Sequence, residues 1–398
     1  MSWEVKKLSE CCIIAAGQGA PQGEMHYLSN EGIPFIKAAH LKDLLDGADE
    51  YSLPKVNQST AEQYRLKLYP KGTVIFAKSG MSTLKGRIHI LENPCYVVNH
   101  LACIIPENIN GNYLKYWFIL NPPNRLIKDE AYPSISLTDI GNLMINIPEA
   151  KVQEQIAIAL DKSKVLIEKR KEQISILEKL GSDTFYDMFG DPAVNHMGWD
   201  IKTVGDTIKL IEAGWSVGGE QREREKDEIA VLKVSAVTQG FFKDDEYKVI
   251  DKKVQIKKHV FPRTGDLLFS RANTKELVGA TCLIVKDYPN LLLPDKLWRL
   301  EFNNNANCVY MKYILSNKHI RDVISDLATG TSGSMYNISM EKLKSIEIPI
   351  PDIELQNEFA KRILAIEEQK SRLKSSFTEL ETTYRSIMQK AFSGELFN

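Results

Sequence analysis

The chain carries an internal duplication, which constrains its fold more than any other feature of the sequence. The run that begins at Ile135 aligns without a gap on the run that begins at Ile338, and seven positions are identical. A spacing near 200 residues is far too long for a solenoid repeat. The sequence therefore predicts two similar domains that end in the same element, and a molecule that does one thing at two places. The identical pairs are Ile135/Ile338, Ser136/Ser339, Ile145/Ile348, Ile147/Ile350, Pro148/Pro351, Gln153/Gln356 and Ala157/Ala360.

Composition places the chain among soluble globular proteins. It has 398 residues, of which 43% are apolar and 26% are charged, so it can form two cores of ordinary size. The net charge of −1 neither excludes a nucleic-acid partner nor argues for one. The N-terminal segment has no apolar leader and no run is long enough to span a membrane, which predicts a cytoplasmic protein. The six cysteines form no C-x-x-C pair and are expected to be reduced, buried thiols.

Each copy divides into two parts with different hydrophobic patterns. The first part contains short runs rich in Val, Ile and Phe between Gly, Pro and Asn residues, a pattern typical of β-strands. Helical segments at 111–120 and 308–315 lie among these runs. The predicted fold class is therefore α+β. The runs interpreted as strands include 73–77, 95–98, 267–269 and 281–285.

After Pro148 and Pro351 the pattern changes to a long helix with a heptad seam. Roughly 30 to 40 residues at 1.5 Å each make a rod of about 45 to 60 Å. The first helix could end near Gly181 or just before Gly190. Arg170 interrupts the first seam as a polar residue that helps to fix the register, as Lys370 does in the second. The apolar seam residues proposed as coiled-coil or partner-docking positions are Ile156, Leu160, Ile167, Ile174, Leu177, Phe359, Ile363, Ile366, Leu373 and Leu380.

The seams could be covered in two ways. Each helix could pack on its own globular domain, or the two helices could pack on each other as an antiparallel coiled coil. The second arrangement is more economical, because the seams are alike and both are long. It would hold the two globular domains at opposite ends about a pseudo-twofold axis. The predicted division is a globular domain at 1–149, a helix at 150–190, a second globular domain at 191–351 and a C-terminal helix at 352–398.

Short matches to catalytic motifs lack the residues that the chemistry requires. The run at 121–124 resembles the N-P-P-aromatic motif of amino-methyltransferases, but Asn124 replaces the aromatic residue, so the run is interpreted as a turn. Asp295 and Glu301 resemble part of a nuclease motif, but Asn303 replaces its lysine. P-loop and H-E-x-x-H motifs are absent, and the histidines show no ligand spacing. The sequence therefore predicts no catalytic residue, no metal site and no cofactor in this chain.

Loops at equivalent places in both copies could bind a polyanion. One follows the strand that ends near Ala77, and its counterpart follows the strand that ends near Phe269. Arg and Asn suit base edges, whereas Lys and Ser suit phosphates. A second pair of loops, at 131–134 and 329–337, contains a tyrosine, and a basic run at 252–263 is more often a solvated surface. The candidate contacts are Lys78, Ser79, Lys85, Arg87, Tyr132, Ser134, Lys257, Lys258, Arg271, Asn273, Lys275, Ser334 and Tyr336.

Two α+β domains that alternate with two long helices resemble the specificity subunit of type I restriction-modification systems. The run INIP at 145–148 followed by Gln153 looks like that family's I-x-I-P…Q-x-x-I entry to a helix, and IPIP at 348–351 followed by Gln356 looks like its second copy. The segment GDLLFSR at 265–271 also resembles a family segment.

The first copy departs from that segment, with Thr73 in place of the Asp and Lys78 in place of the Arg. Val152 and Leu355 stand where the family often has Glu before the helix glutamine.

The resemblance implies that each globular part is a target recognition domain for one half of a split site in double-stranded DNA. It implies that the helices set the unread gap between the halves and dock two methyltransferase subunits, one per repeat. A restriction and translocase subunit would join that assembly. The methyl donor, ATP and Mg²⁺ would belong to these partner subunits, so this chain would not be an enzyme by itself.

Two other functions are compatible with parts of the sequence. A non-enzymatic coiled-coil adaptor that joins two protein-binding domains would give no gel shift with duplex DNA. A self-contained nuclease or methylase is disfavoured by Asn303 and Asn124 at the two positions where such enzymes need a lysine and an aromatic residue.

Overall fold

The computed structural model describes residues 3–23, 27, 31–330 and 335–396, and it divides into two compact units. Unit 1 consists of Met1–Lys171 and Ser375–Asn398, and unit 2 consists of Glu172–Lys374. Both division points fall inside long helices, so each unit contains a globular part together with portions of both helices. The four-part division inferred from the sequence, with boundaries at 149, 190 and 351, follows the element order and stays a prediction.

Unit 1 begins with a strand and ends its first segment in a long helix. Short 3₁₀ turns at Glu50–Ser52, Met81–Lys85 and Pro123–Leu126 connect some of its elements. Its strands are β1 Glu4–Lys7, β2 Cys12–Ala16, β3 Ile33–Ile36, β4 Lys55–Val56, β5 Val74–Ala77, β6 Ile88–Ile90, β7 Tyr96–Val97, β8 Leu101–Pro106 and β9 Met144–Ile147. Its helices are α1 Leu8–Cys11, α2 His40–Leu45, α3 Gln58–Gln63, α4 Gly111–Leu120, α5 Leu137–Gly141 and the start of α6 Ala150–Phe189.

A four-stranded antiparallel sheet in the order β2-β8-β5-β6 forms the centre of unit 1. A three-stranded sheet in the order β4-β3-β7 lies in the same unit, and β1 pairs with β9. Side chains alternate along β5: Val74 and Phe76 pack in one buried cluster, and Ile75 and Ala77 pack in another. The central sheet is covered on both faces, which explains why its strands read as continuous apolar runs.

Unit 2 repeats the element order of unit 1 with local differences. A 3₁₀ turn at Val234–Ala236 follows one of its strands. The strands are β10 Asp200–Thr203, β11 Ile208–Ala213, β12 Ala230–Leu232, β13 Tyr247–Val249, β14 Leu267–Ser270, β15 Ala272–Asn273, β16 Thr281–Leu283, β17 Leu291–Leu292, β18 Leu297–Phe302, β19 Tyr336–Asn337 and β20 Glu347–Ile350. The helices are α7 Val204–Thr207, α8 Cys308–Ser316, α9 Lys318–Leu327, α10 Met340–Lys344 and α11 Ile353–Ser393.

The sheets of unit 2 have the same topology as those of unit 1. The four-stranded sheet runs β11-β18-β14-β16, the three-stranded sheet runs β13-β12-β17, and β10 pairs with β20. The alternation along β14 is also the same, because Leu267 and Phe269 pack in one cluster and Leu268 packs in another. The α+β class and the duplication predicted from the sequence are confirmed.

The two long helices bury their seams and expose their flanks. Every seam position named above is buried or half-buried, whereas flanking apolar residues such as Ile158, Ile176 and Leu364 are exposed. Helix α6 continues through Gly181 and ends at Phe189, so the earlier of the two helix ends considered above is wrong.

Within each unit the start of one long helix packs beside the end of the other. The core of unit 1 contains Ile156 and Leu160 of α6 together with Met388 and Phe392 of α11. In unit 2 the residues come from the opposite ends, and Phe359 of α11 packs against residues at the C-terminal end of α6. The helices are therefore antiparallel in each unit, and they pack both on each other and on the globular part.

Candidate nucleic-acid interface

The candidate site of unit 1 lies at one edge of its central sheet. Strands β2 and β5 end at this edge and β8 begins there, as shown by the pairs Ala16–Ala102 and Ala77–Leu101. The residues that follow β2 and β5, and those that precede β8, must therefore come together. Sequence order alone separates them, and antiparallel pairing brings them to one place.

Lys78 and Ser79 leave β5 at this edge, and both are fixed through the backbone. The Lys78 amide donates to the carbonyl of His100 at 2.9 Å, and the Ser79 hydroxyl shares a 2.8 Å hydrogen bond with His100 Nδ1. Ser79 also forms a β-bridge with Ser134, and Ile135 N donates to Lys78 O at 2.8 Å. The two loops predicted from the sequence thus meet in unit 1, with His100 beside them.

Three cations of unit 1 lie on or beside these loops. Lys78 is half-buried, Lys85 is exposed at the end of the 3₁₀ turn, and Arg87 is half-buried just before β6. Within the described part of the chain, none of the three side chains makes an ion pair or hydrogen bond. Tyr132 is 82% exposed, next to Pro133, whose carbonyl accepts from Gly80 N. The edge therefore presents uncompensated positive charge and an aromatic ring to solvent.

Unit 2 has the same edge, formed by the ends of β11 and β14 and the start of β18. Arg271 leaves β14 where Lys78 leaves β5, and its amide donates to Lys296 O at 3.0 Å. Ala272 and Asn273 form β15, which pairs with Tyr336 and Asn337 in β19. Here too the two predicted loops are brought together.

The side chain of Arg271 is held in a fixed orientation. Its Nε donates to the carbonyl of Asp295 at 2.9 Å, one Nη lies 3.6 Å from Asp295 Oδ2, and the guanidinium lies 6.0 Å from the centre of the Trp298 ring. The Ser216 hydroxyl also donates to Asp295. Asn273 uses its Oδ1 as an acceptor for Thr274 N at 2.9 Å. These contacts restrain the two residues that the sequence analysis favoured for base contacts.

The other candidate lysines of unit 2 differ in their surroundings. Lys258 Nζ donates to Ala213 O, at the end of β11, at 2.6 Å, so it lies at the same edge. Lys257 is exposed and has no ion-pair partner among the described residues. Lys275 lies 3.9 Å from Asp326, and both side chains are mostly exposed, so this pair is weak. Ser334 lies outside the described residues.

Sequence reasoning missed three residues at these edges: His100, Lys296 and Ser216. A signal was present, because His100 and Lys296 each stand directly before the buried strand that pairs with the exit strand. The Lys296 side chain has no ion pair among residues that the structure describes. Position 100 in unit 1 and position 296 in unit 2 thus carry equivalent polar groups.

The glutamine of each junction motif joins the globular part to a long helix. Gln356 Oε1 accepts from Asn307 N at 2.9 Å, and its Nε2 donates to Pro351 O at 2.8 Å. Gln153 makes the same two contacts in unit 1. Both glutamines are buried. The motif therefore works as a structural joint and lies away from the loop edge of the sheet.

Other kinds of site find no support in the described residues. Among them, no group of three or more His, Cys, Asp or Glu side chains is placed to hold a metal ion. No helix in the described ranges is both long and apolar enough to cross a membrane. The six cysteines are unpaired, and five of them are buried.

Several solved and curated proteins resemble this chain. The MjaIX type I restriction enzyme specificity subunit of Methanocaldococcus jannaschii is 31% identical over 185 residues, which cover 45% of this chain and 41% of that protein. The EcoKI type I restriction enzyme specificity subunit of Escherichia coli is 28% identical over 173 residues, 42% of this chain and 37% of that protein. The chain thus matches less than half the length of each of these two relatives.

The likeness in fold extends over nearly the whole chain. The type I restriction-modification S subunit of M. genitalium superposes with a TM-score of 0.62 at 12% identity, covering 98% of this chain and 96% of that one. The family model described as "Type I restriction modification DNA specificity domain" matches residues 1–177 and 197–380, once on each copy. Because these two matches cover most of the sequence, the chain belongs to the type I restriction-modification DNA specificity family.

Proposed function

We propose that this chain is the DNA-recognition subunit of a type I restriction-modification complex. The observation that supports it best is the recurrence of one arrangement in both units. A strand exit, a tyrosine-bearing loop and a polar residue before the next strand meet at the same sheet edge, and each edge carries a cation that has no ion-pair partner in the described part of the chain. Such cations attract DNA phosphates, and binding displaces the counterions condensed on the DNA.

Residues at the two edges are suited to two kinds of DNA contact, namely phosphates and base edges. Lys78 and Lys296 are suited to phosphates, because their ammonium groups have no ion-pair partner among the described residues. Arg271 is suited to a base edge, since Asp295 fixes its guanidinium plane and leaves other N–H groups free to donate. Each unit would read one half of a split duplex site.

The chain would act through partners and would not itself catalyse a reaction. We propose that two methyltransferase subunits dock on the long helices, and that restriction and translocase subunits join them. The methyl donor, ATP and Mg²⁺ would be bound by those subunits, and the complex would work in the cytoplasm. The duplicated junctions support this stoichiometry, since two copies of one partner need two copies of one docking surface.

Salt-dependent binding tests the phosphate contacts. The affinity for duplex DNA is measured by fluorescence anisotropy with the methyltransferase subunits present and absent. Its logarithm should fall linearly with the logarithm of the salt concentration. Lys78→Ala and Lys296→Ala should each reduce the slope by about one. Lys71→Ala and Arg263→Ala are matched controls, because these residues precede β5 and β14 at the opposite ends of the same strands. If the Lys78→Ala and Lys296→Ala variants kept the salt dependence of the parent chain, these sheet edges would not contact DNA phosphates.

A domain exchange tests the two-reader model. Residues 1–149 would be replaced by the corresponding domain of another specificity subunit, and the methylated motif would be mapped across a host genome. One half of the motif should change and the other should remain. A change in both halves would show that the two units do not recognise separate half-sites. If the chain bound its protein partners but gave no gel shift with duplex DNA, the adaptor function would be favoured.

A further inference from the structure

At one pair of equivalent positions, unit 1 carries a carboxylate and unit 2 does not. In unit 1, Asp161 Oδ1 lies 3.3 Å from Lys115 Nζ and accepts a hydrogen bond from the Tyr116 hydroxyl. Lys115 also lies 4.5 Å from the centre of the Tyr116 ring. Both polar groups of this lysine–tyrosine pair are therefore satisfied by one side chain of α6.

Unit 2 has the same lysine–tyrosine pair. Lys312 and Tyr313 occupy the same positions on α8 that Lys115 and Tyr116 occupy on α4, and Lys312 Nζ again lies 4.5 Å from the tyrosine ring centre. The gap-free alignment of the two long helices places Leu364 where unit 1 has Asp161. Among the described residues, no ion pair or hydrogen bond is made by Lys312 Nζ or by the Tyr313 hydroxyl.

These groups face an open cavity. Lys312, Tyr313 and Leu364 line a cavity of about 450 Å³, whose other walls include Phe242 and Tyr288. Burial lowers the pKa of the Lys312 ammonium, since desolvation disfavours its charged form. A carboxylate in the cavity would offset that cost.

The two carboxylates that line the cavity each lie beside another lysine. Glu367 lines the cavity and acts electrostatically on Lys312 and Tyr313, but its carboxylate pairs with Lys370 Nζ at 2.5 Å and forms no ion pair with Lys312. Glu178 lies 3.7 Å from Lys374 Nζ. The unit therefore offers no described acidic group bound to Lys312, in contrast to Asp161 beside Lys115.

One part of the cavity lining is apolar and exposed, beside the charged residues Glu178, Glu367, Lys370 and Lys374. Phe241 is 51% exposed, Val285 is 68% exposed and Leu364 is 50% exposed, and all three contribute to its lining. A small free acid would leave much of this apolar part in water. An acidic side chain within a polypeptide would bring apolar neighbours to cover it, which is the more favourable arrangement.

We propose that this cavity of unit 2 binds an acidic side chain flanked by apolar residues in a segment of a partner protein. The carboxylate would accept a hydrogen bond from Tyr313 and pair with Lys312, as Asp161 does with the equivalent groups of unit 1. The apolar neighbours would rest on Phe241, Val285 and Leu364. This site does not depend on DNA binding, so it can fail while the proposed function stands.

The test uses the full chain and calorimetric titration with a short capped peptide in which one Asp lies between Leu and Phe. A matched peptide carries Asn in place of Asp, and 3-phenylpropionate represents a free acid. We expect the Asp peptide to bind at or below about 1 mM and the Asn peptide to bind about tenfold more weakly. No binding of the Asp peptide at that concentration, or equal binding of both peptides, would overturn the proposal. A free acid that binds as tightly as the peptide would also overturn it.

Variants locate the binding in the cavity. Lys312→Met should weaken the Asp peptide about tenfold. Leu364→Asp places the carboxylate of unit 1 in unit 2, so it should compete with the peptide and weaken it by a similar factor, whereas Leu364→Asn should not. Because residue 364 is half exposed, both substitutions should leave the thermal unfolding of the chain cooperative. Unchanged affinity in Leu364→Asp would place the binding elsewhere and refute the site.

Discussion

The amide nitrogen of Asn110 and the side-chain oxygen of Gln153 are joined by a 2.7 Å hydrogen bond that ties helix α4 to helix α6. The same glutamine donates from Nε2 to Pro148 O at 2.8 Å, and Asn110 in turn caps α4 by accepting from Tyr113 N. One buried side chain thus satisfies backbone groups at the start of two helices. The motif that marks the family resemblance is explained by this local requirement.

Removing this joint should destabilise the chain. Gln153→Ala would leave the partly buried N–H of Asn110 and the buried carbonyl of Pro148 without partners, which costs about 1–3 kcal/mol. Gln155→Ala is the matched control, because Gln155 is exposed on the same helix. The measurement is the free energy of unfolding in denaturant. Equal values for the two variants would mean that water replaces the lost hydrogen bonds.

Two equivalent glycines allow a close approach of strands near the candidate interface. A Cβ on Gly17 would lie 2.2 Å from Val97 O, and one on Gly214 would lie 1.9 Å from Leu293 O. Gly17→Ala and Gly214→Ala should each destabilise the chain by about 1–3 kcal/mol, because backbone atoms must move. Gly19→Ala and Gly218→Ala are the controls, since a Cβ there has open space. Thermal unfolding of all four variants checks this, and a neutral Gly17→Ala would contradict the close approach.

The seam of α6 can be tested against its own exposed face. Leu160 is fully buried in the core of unit 1, whereas Ile158 on the same helix is 44% exposed. Leu160→Ala should lower the free energy of unfolding by about 2–5 kcal/mol, and Ile158→Ala should have a much smaller effect. If the two substitutions cost the same, the seam would not be the buried face.

A buried carboxylate should make unit 1 sensitive to acid. Glu50 accepts hydrogen bonds from His89 Nε2 at 2.8 Å and from the amides of Glu92 and Asn93. Burial acts to raise the pKa of the Glu50 carboxyl, but these hydrogen bonds together hold it below its ordinary value of 4.5. Because the folded-state pKa is lowered, this contribution to stability is present above pH 4.5 and is lost as the pH falls through the folded-state pKa.

The Glu50→Gln variant should therefore be less stable than the parent chain near neutral pH by about 1–3 kcal/mol, with the difference shrinking in acid. Denaturant unfolding at a series of pH values measures it. Glu92→Gln is the control, because Glu92 is exposed and contributes only its backbone amide to this hydrogen-bond network. If the difference in free energy of unfolding stayed constant with pH, the effect would come from packing and not from the charge of Glu50.

Much of the architecture follows from patterns that short-range physics imposes. The short apolar runs at β5 and β14, the 4–3 spacing along both long helices, and the aligned runs around the junction prolines predicted the element types and the duplication. Helix α4 at 111–120 was predicted with its observed bounds. The end of α6 was harder to predict, because Gly181 reads as a stop signal in the sequence. In the fold it lies against the Tyr313 side chain, and a Cβ at this position would come within 2.5 Å of the Tyr313 hydroxyl oxygen.

The sequence by itself determined that two similar α+β domains alternate with two amphipathic helices, because hydrophobic periodicity is a local property of the chain. Only the tertiary structure decided which polar residues share a site. Lys78, Ser134 and His100 are separated in sequence and meet because three antiparallel strands begin or end at one edge. It also showed that Lys115 has a carboxylate partner whereas Lys312 has none among the described residues, because only the fold reveals which residue of the long helices lies beside each lysine.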